Sequence, residues 1–380
     1  MKEIKWAVLG CGVIANEMAV ALQKNGKNIY AVGNRTHEKA AAFAEKYGIG
    51  KVYDDFHEMF TDPEVDVIYI TTPHNTHLGF MKEAIANGKH ILVEKSITLN
   101  SDELDEAIAL AKEKDVIIGE AMTIYHMPIY KELKKLLDSG SLGRVNLITM
   151  NFGSFKEYNM KNRFFNRNLA GGAMLDIGVY ALSFLRWFFD SKPDQLLSQV
   201  KPAPTGVDEQ AGLLLTNQEG QMASVMLSLH SKQPKRGMVS CENGFIEIME
   251  YPRAWEAKIT DASTGESKII KAGDNADALA YELADMERAI NGDASTMHLD
   301  YTKDVMDLMT SFRRTWGYTY PEEKNTERGC NNGTQKRSRS RRPETLYPDC
   351  KAGKKHQRQT EGLARRHPTV SNTNQRKEVT

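Results

Sequence analysis

A glycine-rich segment near the start of the chain has residue types and a spacing that suit binding of a phosphate group. The letters GCGVIA occupy positions 10–15, directly after a β-type run at 4–9 and at the start of a helical pattern. Glycines in such a turn let the backbone approach the pyrophosphate of a dinucleotide, and the N-terminus of the helix favours its negative charge. The third position of the motif accepts Gly or Ala. We therefore expect dinucleotide binding by Gly10, Gly12, Ile14 and Ala15, with a tight turn of no function as the alternative.

The residues after the next β-type run bear on the choice between NAD and NADP. Folds that select NAD place a carboxylate at this point for the ribose 2′-hydroxyl group. This sequence has Asn34, Arg35 and Thr36 instead, and an arginine suits a 2′-phosphate. We expect NADP to be preferred, with NAD also possible. In the alternative interpretation, Arg35 is an ordinary solvated charge at the start of a helix.

Lys95, Asp176 and Tyr180 are of types that move or polarise protons. Lys95 follows Glu94 at the end of an apolar run at 90–93, and the carboxyl end of a parallel strand faces the crevice that holds a nicotinamide. An ammonium group there polarises a substrate oxygen. Tyr180 lies four residues after Asp176, on the same face of a helix, and a nearby ammonium favours ionisation of a phenol below its usual pKa of about 10. On spacing alone, an ordinary core position for Tyr180 is the alternative.

A further group of candidate residues follows the apolar run at 65–72. Thr72, Pro73, Asn75 and His77 lie at or just beyond the end of that run, in another carboxyl-end loop of the predicted sheet. We expect all four to line the cofactor site, and His77 to contact either the nicotinamide or the substrate. The alternative is that Asn75 or Thr76 caps the helix that follows.

The elements that must position these residues alternate along the first third of the chain. β-branched runs are separated there by segments with a period of 3.6 residues, which predicts an α/β, doubly wound parallel-sheet (Rossmann) domain over 1–121. The runs lie at 4–9, 29–32, 65–72, 90–93 and 116–119. Over 122–321, strand-like runs predict an α+β domain with a mostly antiparallel open sheet. A late helix, 301–318, is expected to pack back on the first domain.

Four motifs in order give the chain a family resemblance. They are GCGVIA at 10–15, TPHNTH at 72–77, GKHILVEK at 88–95 and GGAMLDIGVY at 171–180. In this order and spacing they resemble the Gfo/Idh/MocA oxidoreductase family over residues 1–321. Tyr180 stands where many members have a histidine. The chain is therefore most similar to the branch that holds dihydrodiol dehydrogenase and NADP-dependent xylose dehydrogenase.

The resemblance implies roles for several residues and also shows a departure. Lys95 and Tyr180 are implied to handle the proton of a substrate hydroxyl, with Asp176 positioning the substrate hydroxyls or the base. Arg163 matches an arginine that holds cofactor phosphate or substrate, although a lone surface arginine is the alternative. Ser96 stands where the family's Glu-Lys-Pro motif has a proline. The turn after the lysine therefore lacks the stiffening that a proline ring provides.

The expected reaction is reversible hydride transfer between NADP(H) and a carbinol or carbonyl carbon of a sugar, polyol or cyclic diol. A catalytically silent NAD(P)-binding regulator or sensor is the alternative function. The resemblance further implies a homodimer or homotetramer formed through the open face of the sheet.

Composition narrows the function classes further. The 380 residues contain 50 Lys+Arg and 50 Asp+Glu, but 322–380 hold 15 basic and 7 acidic side chains, so the charge of 1–321 is −8. A body this acidic is a poor general binder of nucleic acid. Scattered cysteines and histidines indicate no metal site, and the apolar runs are too short for a bilayer, so we expect a cytoplasmic protein without a membrane partner. The segment 322–380 is predicted to be a disordered basic tail, either native or produced by a shifted reading frame.

Overall fold

A computed structural model of the chain describes residues 3–323, which fold around two β-sheets. The predicted tail lies outside the described residues, apart from Glu322 and Glu323.

Strands and helices alternate in the first part of the chain. Its elements are β1 (Trp6–Leu9), α1 (Val13–Lys24), β2 (Ile29–Gly33), α2 (His37–Tyr47), β3 (Lys51–Tyr53), α3 (Phe56–Thr61), β4 (Val67–Ile70), α4 (His77–Ala86), β5 (His90–Glu94), α5 (Ser101–Lys114) and β6 (Ile118–Ala121). The six strands form one parallel sheet in the order β3-β2-β1-β4-β5-β6. The strand order reverses between β1 and β4, so the predicted doubly wound Rossmann fold is confirmed.

Both faces of this sheet are buried. Trp6 and Val8 of β1 lie in one apolar core, whereas Ala7 and Leu9 lie in the other. A strand covered on both faces has a continuous apolar sequence, and this made most of the parallel strands recognisable. The exception is β3, which was not among the predicted runs because three residues are too few to show a period.

The second part of the chain forms an eight-stranded sheet. Its elements are α6 (Thr123–His126), α7 (Pro128–Asp138), β7 (Val145–Gly153), α8 (Val179–Phe188), β8 (Gln195–Pro202), β9 (Asp208–Thr216), β10 (Met222–Ser228), β11 (Gln233–Cys241), β12 (Gly244–Met249), β13 (Glu256–Asp261), β14 (Ser267–Lys271), α9 (Ala278–Ile290) and α10 (Leu299–Trp316). The strand order is β14-β13-β12-β11-β7-β10-β9-β8. Only the β7–β10 pair is parallel among these strands, so the predicted mostly antiparallel sheet is confirmed.

Several strands of the second sheet were not predicted. The edge strands β8 and β14 carry mainly exposed and half-buried residues, and such edges have a weak apolar pattern. Strand β11 lies inside the sheet but contains Pro234 and Gly237, which are uncommon in inner strands. A Cβ at Gly237 would lie 2.5 Å from the ring of Phe184 on α8. The glycine therefore lets α8 pack closely on the sheet.

Helices α8 and α10 connect the two sheets. Helix α8 packs against β7 and β11, while α10 packs against α8 and also contacts α5 and β6 of the first sheet. The segment Arg167–Phe188, which includes α8, has the length and hydropathy of a membrane span, but 78% of its most apolar window is buried inside the protein. We attribute its apolar character to this core position.

The end of α10 is held by a buried ion pair. Arg313 is 2% exposed and donates to both carboxylate oxygens of Glu323 at 2.9 Å. The same guanidinium donates to the carbonyl of Leu99. Asn100, whose side chain caps α5 by accepting from the backbone of Glu103, donates to Glu323 at 2.9 Å. Residues at the end of the described chain are thereby fixed to the first sheet's helices.

Replacing Arg313 by methionine should destabilise the protein strongly, because Glu323 would keep a buried carboxylate without its main partner. We expect a loss of about 3–5 kcal/mol of unfolding free energy. Arg314→Met is the matched control, since Arg314 pairs with Asp102 through side chains that are 59% and 77% exposed and such pairs contribute about 1 kcal/mol or less. Urea denaturation of both variants measures the difference, and similar midpoints would contradict the assignment.

Candidate active site

The glycine-rich loop joins β1 to α1 and is shaped by close contacts. Gly10 has a φ of +107°, and a Cβ there would lie 2.5 Å from Oγ1 of Thr71. Gly12 directly precedes α1, and among the described residues no heavy atom lies within 4 Å of the position of its Cβ. Ala15 is fully buried and Ile14 is half-buried. The loop thus leaves open space in front of the α1 N-terminus, which fits the pyrophosphate of a dinucleotide.

A cleft of about 850 Å³ begins at this loop. Gly12, Asn16 and Arg253 are among the residues that line it. Arg253, which follows β12, forms an ion pair of 2.8 Å with Glu17 of α1. Both side chains also line a second cleft, of about 550 Å³, that contains Tyr180. The ion pair therefore lies between the dinucleotide loop and the region of the predicted catalytic residues.

The loop after β2 places basic residues at the start of α2. Asn34 donates to the carbonyl of Thr36 at 3.0 Å, which fixes the turn. Arg35 is exposed, and among residues 3–323 it forms no ion pair. Lys39, one turn further along α2, lies near the glycine-rich loop, because its ammonium acts on the thiol of Cys11 in that loop. Burial raises the pKa of this thiol to about 11, and the charge of Lys39 partly opposes the increase. Two cations at a helix N-terminus favour a bound phosphate.

Lys95, Asp176, Tyr180 and Arg163 meet at the carboxyl end of β5. The ammonium of Lys95 donates to the carbonyl of Asp176 at 2.8 Å, and its nitrogen lies 3.5 Å from the Asp176 carboxylate. It also lies 4.8 Å from the centre of the Tyr180 ring. Arg163 approaches the same carboxylate at 3.7 Å. The residues predicted separately therefore form one cluster.

The charges in this cluster follow from burial and from neighbouring groups. Burial raises the pKa of Asp176, but the neighbouring positive groups, Lys95 first and then Arg163 and Lys156, together lower it by more, so the net shift is downward and the group is a carboxylate. Burial lowers the pKa of Lys95, but Tyr180, Asp176 and Glu94 raise it by more, so the group is an ammonium.

The expected shift of Tyr180 was wrong in sign. Burial raises the pKa of its phenol above the usual value, and the opposing effect of Lys95 is smaller. The resemblance placed an ammonium beside the phenol, but the sequence gave no measure of how strongly burial would act on the phenol. Loss of solvation disfavours the phenolate more than one cation favours it. In this structure Tyr180 is therefore protonated at neutral pH.

A short π-helical turn presents Asp176 and Tyr180. Residues Met174–Gly178 form this turn directly before α8, and such turns are frequent at functional sites. Gly172 has a φ of +127°, and a Cβ there would lie 2.2 Å from Asp208. Asp208 accepts from the backbone of Met174 at 2.5 Å and from the hydroxyl of Tyr318. The glycine therefore allows Asp208 to hold the start of the helix.

The loops beside Lys95 are tied together by side chains. Ser96 follows a cis peptide bond and donates to the carbonyl of Leu175 at 3.0 Å. His77 is fully buried, with one ring nitrogen 3.0 Å from the carbonyl of Ser96 and the other 2.8 Å from that of Thr72. Its ring thus contacts the backbone of two loops. Glu94 accepts from the hydroxyl of Tyr69, and burial raises the pKa of its carboxyl.

The remaining predicted residues follow β4. Thr72 and Pro73 line a cavity of about 180 Å³ together with Arg163, Asp176 and His74. Asn75 donates to Glu322 at 2.8 Å, a contact between residues 247 positions apart. Sequence reasoning missed this pair and also missed His74, whose ring lies 3.0 Å from the carbonyl of Lys95. Burial lowers the pKa of His74 to about 3.

Another buried carboxyl group escaped the sequence analysis. Glu282 of α9 is 2% exposed, and within residues 3–323 its Oε1 lacks a hydrogen-bond partner. Burial raises its pKa well above the usual range, Glu94 adds to the effect, and Arg253 opposes it. Glu282 and Glu94 lie nearly 200 residues apart in the chain, so no local sequence pattern could have indicated that the two carboxyl groups are neighbours.

Comparisons with known proteins agree with this geometry. Residues 4–122 match the model of the oxidoreductase family with an NAD-binding Rossmann fold, GFO/IDH/MocA, and residues 130–247 match that of the GFO/IDH/MocA C-terminal domain. The trans-1,2-dihydrobenzene-1,2-diol dehydrogenase of Xenopus tropicalis is 32% identical over 248 residues, which are 64% of this chain and 74% of the relative. The mouse (Mus musculus) protein of that name is 26% identical over 332 residues, 84% of this chain and 99% of its own.

Solved structures of oxidoreductases share this fold. The 3-ketoreductase KijD10 from Actinomadura kijaniata, in complex with NADP and TDP-benzene, has a TM-score of 0.73 at 20% identity, covering 82% of this chain and 98% of its own. The aldose-aldose oxidoreductase from Caulobacter crescentus, in complex with glycerol, also has a TM-score of 0.73, at 23% identity, covering 82% of this chain and 97% of its own. These likenesses confirm the fold.

Alanine at the two loop glycines should have different effects. Gly12→Ala adds a methyl group where the described chain leaves open space, so stability should stay near wild type while dinucleotide affinity falls at least tenfold. Gly10→Ala must adopt a φ of +107° against Thr71, which should lower both affinity and melting temperature. Fluorescence titration with NADPH and thermal unfolding measure the two effects. Unchanged NADPH affinity in Gly12→Ala would contradict the assignment of the loop.

Proposed function

The chain belongs to the Gfo/Idh/MocA family of NAD(P)-dependent oxidoreductases, and from this premise we propose that it interconverts a carbinol and a carbonyl carbon in a sugar, polyol or cyclic diol, with NADP as the preferred cofactor. The nicotinamide, when bound, exchanges a hydride with that carbon. The observation that carries the proposal is the cluster at the carboxyl end of β5 in which the half-buried Lys95 and Tyr180 meet the buried Asp176.

Several elements of the chain would hold the cofactor. The N-terminus of α1, with Gly10, Gly12, Ile14 and Ala15, would hold the pyrophosphate, for which Gly12 leaves room. Thr72, Pro73 and Glu94 end β4 and β5 and would line the nicotinamide side. Asn75 and His77 are already bonded within the protein, so we assign them to positioning these loops.

Tyr180 and Lys95 divide the handling of the substrate oxygen. The raised pKa of Tyr180 keeps its proton in place at neutral pH, so the phenol donates it to the oxygen when a carbonyl is reduced, and solvent then returns a proton to the phenolate. In the reverse direction the phenol first releases its proton to solvent, and the phenolate accepts the proton of the substrate hydroxyl. The ammonium of Lys95 stabilises the negative charge that develops on that oxygen. Its hydrogen bond to the Asp176 carbonyl keeps the ammonium in place.

Asp176 and Arg163 complete the substrate side of the cluster. Since Asp176 is a carboxylate, it accepts hydrogen bonds from substrate hydroxyl groups. Arg163 is well exposed and approaches Asp176 at 3.7 Å, a distance that leaves its guanidinium able to bind substrate as well. Both residues line the same cavity of about 180 Å³.

Tyr180→Phe removes the hydroxyl and keeps the ring packing. We expect turnover to fall by about 10²-fold or more, the usual effect of losing a general acid or base, while NADP affinity stays nearly unchanged. Lys95→Met should lower turnover similarly, and the double variant should be little worse than either single one, because groups that act on one proton are not additive.

Steady-state kinetics with a panel of sugars, inositols and dihydrodiols measures these effects. Tyr281→Phe is the matched control, because its hydroxyl contacts the backbone of Asp274 outside the cluster. A Tyr180→Phe enzyme within a few-fold of wild type would remove Tyr180 from the mechanism. Complete absence of turnover with the panel would favour the silent regulator.

The preference for NADP is proposed to come from Arg35, Thr36 and Lys39 at the start of α2. Thr36 is the N-cap residue, and its hydroxyl makes no capping hydrogen bond within the described chain, so it is available to a phosphate. Arg35 and Lys39 supply positive charge at the same helix end.

Arg35→Asp should therefore weaken NADP binding far more than NAD binding, by tenfold or more, and can reverse the preference. The carboxylate repels a 2′-phosphate but accepts hydrogen bonds from a 2′-hydroxyl group. Titration calorimetry with both cofactors measures the ratio, with Lys112→Asp on α5 as a control for the change in net charge. Equal affinities of wild type for NADP and NAD would overturn the proposal.

The outer face of the second sheet is proposed to form a homodimer or homotetramer. Leu147, Leu197, Leu214, Met222 and Met226 lie there on adjacent strands and are 39–68% exposed. Apolar patches of this kind mark protein interfaces.

A charge at the centre of this face should break the assembly. We expect Met226→Arg to sediment as a monomer at concentrations where wild type is a dimer or tetramer, because an unpaired charge is costly to bury. Thr315→Arg, on the exposed side of α10, adds the same charge elsewhere. Analytical ultracentrifugation compares the three proteins, and a monomeric wild type would refute the proposed interface.

A further inference from the structure

We propose that the substrate carries an anionic group, a carboxylate or a phosphate, which binds between the side chains of Lys156 and Arg163. The inference rests on the proposed function, since it places this group beside the Lys95 cluster, and it adds a substrate class that the proposed reaction leaves open.

The two cations share an aromatic platform at the edge of the candidate site. The ammonium of Lys156 lies 4.2 Å from the centre of the Phe164 ring, and the guanidinium carbon of Arg163 lies 4.6 Å from it. Phe164 and Arg163 also line the cavity of about 180 Å³ that contains Asp176. A ligand held by Lys95 and Asp176 would therefore extend toward both cations.

The positive charges here outnumber the negative ones. Lys156 is half-buried, and among the described residues no carboxylate lies within ion-pair distance of it. The carboxylate of Asp176 lies 3.7 Å from the guanidinium of Arg163 and 3.5 Å from the ammonium of Lys95, so the two cations share one carboxylate. Lys232 is a fourth positive charge and lies close enough to act on Lys156. Burial lowers the pKa of Lys156, and the charges of Arg163, Lys95 and Lys232 lower it further. The carboxylate of Asp176 raises that pKa, but by less.

Asp176 thus faces Lys95, Arg163 and Lys156, while Glu94 acts on Lys95 as well, and the site is open to water on the Arg163 side. Lys156 has no carboxylate within ion-pair distance among the described residues, and burial together with the three neighbouring cations disfavours its charge by more than Asp176 favours it. An anion bound beside Lys156 would relieve this repulsion. Fields of this kind concentrate anionic ligands in a cleft. The simplest compensation is a negative group on the substrate itself.

The backbone around both cations is fixed before a ligand arrives. Lys156 donates from its backbone to Leu229 at 2.8 Å, and a ring nitrogen of His230 lies 3.3 Å from the carbonyl of Lys156. On the other side, Asn162 accepts from the backbone of Phe164 at 3.0 Å. Binding an anion would therefore immobilise side chains only, which lowers the entropic cost of binding.

The cofactor pyrophosphate is not the anion in question. Its expected site is the α1 N-terminus, where Gly12 lines the cleft shared with Glu17 and Arg253. Arg163 lines a different cavity, with Asp176 and Phe164. The anion therefore belongs to the molecule bound beside Asp176.

Titration calorimetry on the full-length enzyme saturated with NADPH tests the proposal. The ligands are glucose, glucuronate and glucose 6-phosphate, which share a sugar ring and differ in charge. We expect at least one anionic sugar to bind tenfold or more tightly than glucose, and the two anionic arms separate a carboxylate from a phosphate site. The advantage should weaken as salt is added.

Lys156→Met keeps an unbranched side chain of similar length without the charge and should remove most of the anionic preference, leaving glucose binding nearly unchanged. Lys161→Met, at an exposed lysine of the same loop, should keep it. The proposal is overturned if wild type binds neither anionic sugar more tightly than glucose, or binds neither of them at all. It is also overturned if the preference for the anionic sugar persists in both Lys156→Met and Arg163→Met. Since the titration needs no turnover, tight anion binding without turnover on the panel would count against the proposed reaction alone, and the anion site between Lys156 and Arg163 would stand as a ligand site.

Discussion

An ammonium group removed from water must be compensated, and the position of Lys95 makes this the central constraint on the structure. The charge lies at the end of β5, but the carbonyl and carboxylate that face it belong to Asp176, 81 residues later. The first sheet therefore supplies the cation and the second part of the chain supplies the compensation. Neither part has the complete cluster alone.

Much of the second sheet serves to hold the helix that carries Asp176 and Tyr180. Asp208 at the start of β9 bonds to the first turn of that helix, and Gly237 in β11 makes room for Phe184 further along it. Both contacts restrict the helix to one position against the sheet. Because the distance between Lys95 and the Asp176 carbonyl is only 2.8 Å, a small shift of the helix would leave the ammonium without its partner.

The parts of this arrangement that sequence predicted are those with local signals. A strand buried on both faces, a glycine turn and a lysine at a strand end are each visible within about ten residues, so the Rossmann fold and the position of Lys95 were within reach. The joint role of Lys95, Asp176 and Tyr180 came from the family resemblance and not from a local pattern. The sign of the Tyr180 pKa shift was not, because it depends on burial by many distant side chains. The pairs Asn75–Glu322 and Glu94–Glu282 were also out of reach, since they join elements far apart in the chain. Edge strands such as β14 were missed because they face water and have little apolar pattern.

The closing contacts of the site come from the last residues of the described chain. The hydroxyl of Tyr320 donates to the carbonyl of Gly171 at 2.8 Å, Arg167 donates to the carbonyl of Thr319, and Glu322 holds Asn75. During synthesis, at about 5–20 residues per second, roughly 200 residues separate the last strand of the first sheet from these contacts. A nascent chain therefore spends on the order of ten seconds or more with a complete parallel sheet and an unfinished substrate side. Asp176 and Tyr180, which face Lys95, follow β6 by fewer than about 60 residues. The neighbours of Lys95 are therefore synthesised well before the residues that close the substrate side.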